Sequence, residues 1–140
     1  MLTDADGVPL VVKTTPANVP DQDLVGPLLE AMPQIAGPRG RPKRKPDELV
    51  GDRAYGVKAN AMLLAVLGIL NLLAPRGDDT HGSGLGTIRY VVERTLACFS
   101  QLRRLKVCYE RTTEHWQAMH DLAACLLTCT RLRDYRVTWF

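Results

Sequence analysis

The sequence predicts an α/β fold, and three observations carry that expectation. Strand-like runs and helix-period stretches follow in the order strand, helix, strand, helix, strand, helix, helix. The apolar fraction of 46% supports a core and excludes wholesale disorder. No repeat with a period of roughly 20–50 residues is present, which excludes a solenoid. At 140 residues the chain has the size of one domain, and residues 1–140 are expected to form a single unit.

The elements are expected as follows. Asp6-Gly7 precedes the β-branched run Val8–Thr15, a hairpin signal. Only five residues stand before this turn, too short a strand to form a proper partner, so the chain reads as starting partway through a sheet. Asn18 and Asp21 are candidate N-caps for a short helix with Leu24, Val25, Leu28, Leu29 and Met32 on one side. Pro27 fits its first turn and Pro33 ends it. Residues 36–47, rich in Pro, Gly and bases, form an extended basic loop, read evenly as solvated linker or nucleic-acid contact.

Glu48–Asp52 reads as a short buried strand ending in an acid. A helix over 57–67 and a strand over 69–73 follow, the latter closed by Pro75. Met62–Leu67 is apolar all round, so that helix is expected to expose apolar surface. Residues 77–86 form a glycine-rich loop containing His81. The next helix, 87–105, carries the stripe Ile88, Val92, Leu96, Phe99 and Leu102, with Arg89, Glu93, Ala97, Ser100 and Arg104 one position round. The last helix, 113–132, is capped by Thr112 or Thr113 and turns Trp116, Met119, Leu122, Ala123, Leu126 and Leu127 inward.

Several classes are excluded. The longest apolar stretch, Ala59–Ala74, is interrupted by Asn60, Gly68 and Asn71 and is shorter than the ~20 residues of a membrane span. The N-terminus has no basic and apolar leader, so the chain reads as cytoplasmic. Cys98, Cys108, Cys125 and Cys129 form no C-x-x-C pair and read as reduced core cysteines rather than zinc ligands. His81, His115 and His120 read as solvated or structural. Trp116, Trp139 and Phe140 read as packing or as a loose C-terminal end.

Charge is unevenly placed. The overall +3 divides into an acidic leader, net −4 over residues 1–38, and two basic blocks, each net +4, over 39–58 and 87–140. Such blocks suggest a polyanionic partner. Two carboxylates stand apart from the rest. Asp52 ends a predicted strand, where open α/β sheets place ligands, and Glu93 just misses the apolar register of its helix. Paired carboxylates suit Mg²⁺, which can assist phosphodiester chemistry. From spacing alone, the plainer reading is that Asp52 caps the next helix and Glu93 pairs with Arg89.

The local wording shifts that balance. Gly51-Asp52-Arg53-Ala54-Tyr55 is followed by Arg89-Tyr90-Val91-Val92-Glu93-Arg94 and then Arg103-Arg104-Leu105-Lys106-Val107-Cys108-Tyr109-Glu110-Arg111. Upstream stand Asp6-Gly7-Val8-Pro9-Leu10, Ala17-Asn18 with Asp21, and Gly37-Pro38-Arg39-Gly40-Arg41-Pro42. In this order the words closely resemble bacterial insertion-sequence transposases of the DDE type, the insertion-sequence-five group. The resemblance runs over nearly the whole chain and fits the C-terminal part of the catalytic domain.

The resemblance implies an RNase H-like mixed five-stranded sheet flanked by helices, incomplete at the N-terminus. It implies metal-dependent phosphodiester hydrolysis and strand transfer at insertion-sequence ends, with Mg²⁺ or Mn²⁺ as cofactor and double-stranded DNA as partner. Asp52 would be the second catalytic acid and metal ligand, and Glu93 the third. Arg89 would hold a phosphate or orient Glu93. Arg41, Lys43, Arg44, Lys45, Arg103, Arg104, Lys106 and Arg111 would meet DNA. Three departures stand out. The first acid has no match, since Asp4 and Asp6 belong to the hairpin approach. Gly56-Val57 replaces an Asp-Ser, and the following helix is apolar. The alternative reading is therefore a catalytically silent DNA-binding remnant, with an upstream transposase polypeptide or a homo-oligomer as possible company.

Overall fold

The computed structural model describes residues 1–37, 40–73 and 85–137, with side chains at 1–37, 40–73 and 90–133. The chain falls into two compact units, Met1–Thr15 with Tyr90–Phe140, and Pro16–Arg89.

In the first unit, β1 (Leu2–Thr3) pairs antiparallel with β2 (Pro9–Val11), Leu2 opposite Val11. The Asp-Gly hairpin is therefore present, and the short first strand does find a partner. Its turn is held locally. The Asp4 carboxylate accepts from the N–H groups of Asp6 and Val8 at 3.0 and 2.8 Å, and Gly7 takes φ +85°, open to glycine at no steric cost.

Helix α3 (Leu85–Gln101) contributes its residues from Tyr90 onward to this unit. Its expected stripe is rotated. Thr95, 1% exposed, faces inward with Phe99, whereas Leu96 is exposed. The cause is polar, because the Thr95 hydroxyl lies 2.8 Å from Gly7 O and so turns this face onto the hairpin. The helix also ends early. Leu102 is extended (φ −75°, ψ 117°) and α4 (Arg103–Lys106) starts afresh, a break that no Gly or Pro foretells.

Helix α5 (Thr113–Val137) runs longer than expected. Thr112 Oγ1 accepts from the His115 N–H at 3.3 Å, as the expected cap should. Ala123 is buried and Trp116, Met119 and Leu127 are half-buried, but Leu122 and Leu126 point to solvent. Gln117 sets this rotation. Its Nε2 donates to Val12 O at 2.8 Å, and its Oε1 accepts from Thr14 N–H at 2.7 Å, so the amide binds the chain just past β2 as a strand neighbour would. Of the cysteines, all free, Cys98 is half-buried, and Cys108, Cys125 and Cys129 are exposed rather than in the core.

In the second unit, a 3-10 turn at Asp21–Leu24 leads into α1 (Val25–Glu30), which buries Val25, Leu28 and Leu29. Neither Asn18 nor Asp21 caps it. Pro20 holds the N-cap of the 3-10 turn and Leu24 that of α1, both without a side-chain bond. β3 (Glu48–Gly51) pairs in parallel with β4 (Leu70–Leu73), Glu48 opposite Leu70 and Gly51 opposite Leu73. Between them runs α2 (Lys58–Leu67), closed by Gly68 at φ +65°. Val25, Leu29, Leu64, Ile69 and Leu73 form the core, with Leu49, Tyr55, Leu63 and Leu67 against it.

β3 is half-buried rather than buried. Met62 and Val66 stand 70% and 86% exposed, which bears out the expectation of bare apolar surface on α2. Among the described residues the strands form two pairs, one antiparallel and one parallel, and not a five-stranded sheet. The architecture is thus mixed α/β with small sheets. Most of the expected loop 77–86, with His81, lies outside the described residues, as do Trp139 and Phe140. No described helix is long and apolar enough to cross a membrane.

Candidate functional site

Asp52 stands immediately after β3, in extended conformation (φ −73°, ψ 164°). Its Oδ1 accepts from the Arg53 N–H at 2.7 Å, so it caps the 3-10 turn Arg53–Tyr55. Asp52 thus stands at a strand end and caps this short turn, whereas Val57 holds the N-cap of the helix that follows, α2, without a side-chain bond. The approach is tight. A Cβ on Gly51 would lie 2.7 Å from Leu73 Cδ2 and 3.5 Å from Tyr55 Cδ2, so any larger residue there must displace the Leu73 side chain. Tyr55 N–H then donates to Asp52 O at 2.9 Å.

Burial pushes the Tyr55 hydroxyl above its ordinary value, and the carboxylates of Asp21 and then Asp52 push it further. Asp21 therefore lies within electrostatic reach of the same ring as Asp52, a closeness that sequence spacing did not suggest.

Glu93 lies exposed on α3, in the other unit from Asp52. The side chain of Arg89, its expected neighbour one helical turn back, is outside the description. The next residue is committed to the hairpin. Arg94 donates to Asp6 O at 3.2 Å, and Arg131 of α5 donates to the same oxygen at 3.1 Å. Arg94 closes the Arg89–Arg94 motif and Arg131 carries no expected role, and nothing in the sequence marks a contact across such separations.

The basic loop is less bare than its composition suggests. Ile35 and Lys43 exchange two backbone hydrogen bonds of 2.9 Å. Lys43 pairs with Asp47, and Lys45 donates to the carbonyl of Leu67 in the last turn of α2. Arg44 reaches the Gln34 amide oxygen at 2.7 and 3.1 Å. All three remain exposed, as does Arg41. On the second basic block, Arg104 pairs with Glu110 at 2.6 Å, while Arg103, Lys106 and Arg111 are exposed. His115 is exposed, and His120 sits edge-on to Trp116 with Nδ1 against Trp116 O at 2.9 Å, a packing role.

Carboxylate oxygens are the hard donors that Mg²⁺ takes, one or two of them commonly completed by water and substrate phosphate. Among the described residues no group of three or more His, Cys, Asp or Glu side chains is gathered to hold a metal ion. Asp52 and Glu93 supply the right donor chemistry, one carboxylate in each unit.

Comparison with known proteins points one way. Residues 1–128 match the transposase DDE domain family. The chain is 40% identical over 133 residues to a Burkholderia cepacia protein described as a putative transposase for insertion sequence element IS402. That match covers 95% of this chain and 63% of the relative, so the chain spans a little under two thirds of the relative's length. No solved structure matches. Because the family match runs over more than half of its length, the chain belongs to the transposase DDE domain family.

Proposed function

We propose that this chain is the C-terminal part of a transposase catalytic domain, whose chemistry is phosphodiester hydrolysis and strand transfer at insertion-sequence ends. The observation that carries the reading is Asp52 at the end of a parallel strand, within a chain matched by the family over residues 1–128. Asp52 serves as the second acid and Glu93 as the third, with Arg89 beside Glu93 on the same helix. Divalent cations, Mg²⁺ or Mn²⁺, would activate the attacking oxygen and offset charge on the leaving one. Arg41, Lys43, Arg44, Lys45, Arg103, Arg104, Lys106 and Arg111 bind the DNA backbone. Arginine and lysine suit this work because each neutralised phosphate releases condensed counterions.

One observation favours a second reading, that of a silent DNA-binding remnant. The first acid of the family pattern has no match here, since Asp4 and Asp6 belong to the hairpin, where the Asp4 carboxylate holds the turn. On this reading the basic surface persists while the chemistry has lapsed.

Titrating duplex DNA against the protein at several salt concentrations tests what both readings share. Affinity should fall steeply with salt and vary little with sequence. Binding that is absent, or independent of salt, would remove both.

A further inference from the structure

We propose that Asn60 is a positioning residue for Asp52: its buried amide ties the turn that begins at Asp52 to the turn that begins at Asp21. The functional weight of this inference rests on the reading of Asp52 given above. Asn60 lies in the first turn of α2 and is 6% exposed, in a helix otherwise made of Ala, Leu, Met, Val and one Lys. Its Nδ2 donates to Gln22 O at 3.0 Å and to Tyr55 O at 2.9 Å. A side-chain amide nitrogen carries two hydrogens, and both are spent on carbonyls from two separate turns.

Alternatives of similar size fail for definite reasons. Leucine fills the space but strands both carbonyls, and aspartate sets an acceptor against two acceptors. From Asn60 the restraint reaches Asp52 in two steps. Tyr55 O is held by Asn60, and Tyr55 N–H is bonded to Asp52 O. On the other side, Gly51 closes against Leu73 and fixes the end of β3. Asp52 is thus pinned by the parallel ladder before it and by Asn60 after it.

The test compares amide exchange in the full chain, wild type and Asn60→Leu, by ¹⁵N NMR. The Tyr55 and Gly56 amides, bonded to Asp52 O and Arg53 O, should exchange at least about tenfold faster in the variant. Those of Ile69 and Leu70, bonded to Leu64 O and Asp47 O, should keep their wild-type rates. Unchanged exchange at Tyr55 and Gly56 would overturn the proposal. So would an increase shared equally by Ile69 and Leu70, which would mark Asn60 as merely structural. Should Asn60→Leu fail to fold, Asn60→Ala is judged by the same two outcomes.

Mn²⁺ added to the same samples separates this inference from the reading beneath it. Broadening centred on the Arg53 and Ala54 amides in wild type, needing at least about threefold more Mn²⁺ in the variant, supports both. No broadening in wild type overturns the role of Asp52 as a ligand, and exchange then decides Asn60 alone.

Discussion

The hydroxyl of Thr95 reaches the carbonyl of Gly7 at 2.8 Å, across 88 positions of sequence, and fixes how α3 faces the hairpin. A Cβ on Gly7 would lie 2.9 Å from that same hydroxyl and 3.1 Å from Val91 Cγ1, so the turn and the helix fit only with glycine between them. Replacing Thr95 by Val should cost about 1–3 kcal/mol, because a buried carbonyl loses its donor. Gly7→Ala should cost at least about 1 kcal/mol, since it adds a steric clash to an unfavourable φ. Urea unfolding of both variants measures this. A Thr95→Val protein as stable as wild type would show that apolar packing alone orients α3.

The contacts inside the basic loop predict a split between stability and DNA binding. Exposed ion pairs such as Lys43–Asp47 contribute roughly 0–1 kcal/mol, so phosphates can compete for these side chains. Replacing Arg41, Lys43, Arg44 and Lys45 by Ala should flatten the slope of log affinity against log salt by up to about 3–4 units. Lys45→Ala alone should also lower stability by about 0.3–1 kcal/mol, because it removes a cation from the carbonyl end of α2. An unchanged salt slope would assign the loop to structure only.

The raised Tyr55 hydroxyl gives a pH dependence of known sign. A group whose folded-state pKa lies above its unfolded value keeps its full contribution below the unfolded value and loses it as pH climbs toward the folded one. The contribution of Tyr55 should therefore be complete up to about pH 10, the ordinary tyrosine value, and be lost above it. Tyr55→Phe should flatten that alkaline loss. An alkaline limb identical in the two proteins would place its origin in other groups.

The outer face of α2 predicts a solubility effect. Met62→Lys and Val66→Lys replace exposed apolar side chains that bury nothing, so melting temperature should change little while the concentration tolerated before precipitation rises. A large drop in melting temperature would mean that this face is covered in solution.

Local features were legible in the sequence wherever short-range chemistry decides them. The Asp6-Gly7 turn, the Thr112 cap, Pro27 in the first turn of α1 and the bare side of α2 were all readable from neighbouring residues. What escaped was decided by contacts distant in sequence. Helical periodicity gave Leu96, Leu122 and Leu126 to the core, but a threonine bonded to Gly7 and a glutamine bonded to Val12 and Thr14 set the rotations of α3 and α5. A polar residue that anchors a helix is invisible to an apolar pattern. For the same reason Asn60 passed for an interruption in an apolar run. The placement of Asp52 after its strand was readable, whereas the reach of Asp21 to Tyr55 needed the fold.

The proposal is that Asp52 and Glu93 are two acids of a DDE active site and do not cut or join DNA on their own. It is tested most directly by a nicking and strand-transfer assay with the purified chain, DNA bearing the element ends, and Mg²⁺ or Mn²⁺. DNA binding without cut or joined product is expected, since two proposed acids offer few ligands for the two ions of this chemistry. Product that appears with wild type and disappears in both Asp52→Ala and Glu93→Ala would contradict it, and would show that another residue of this chain completes the site.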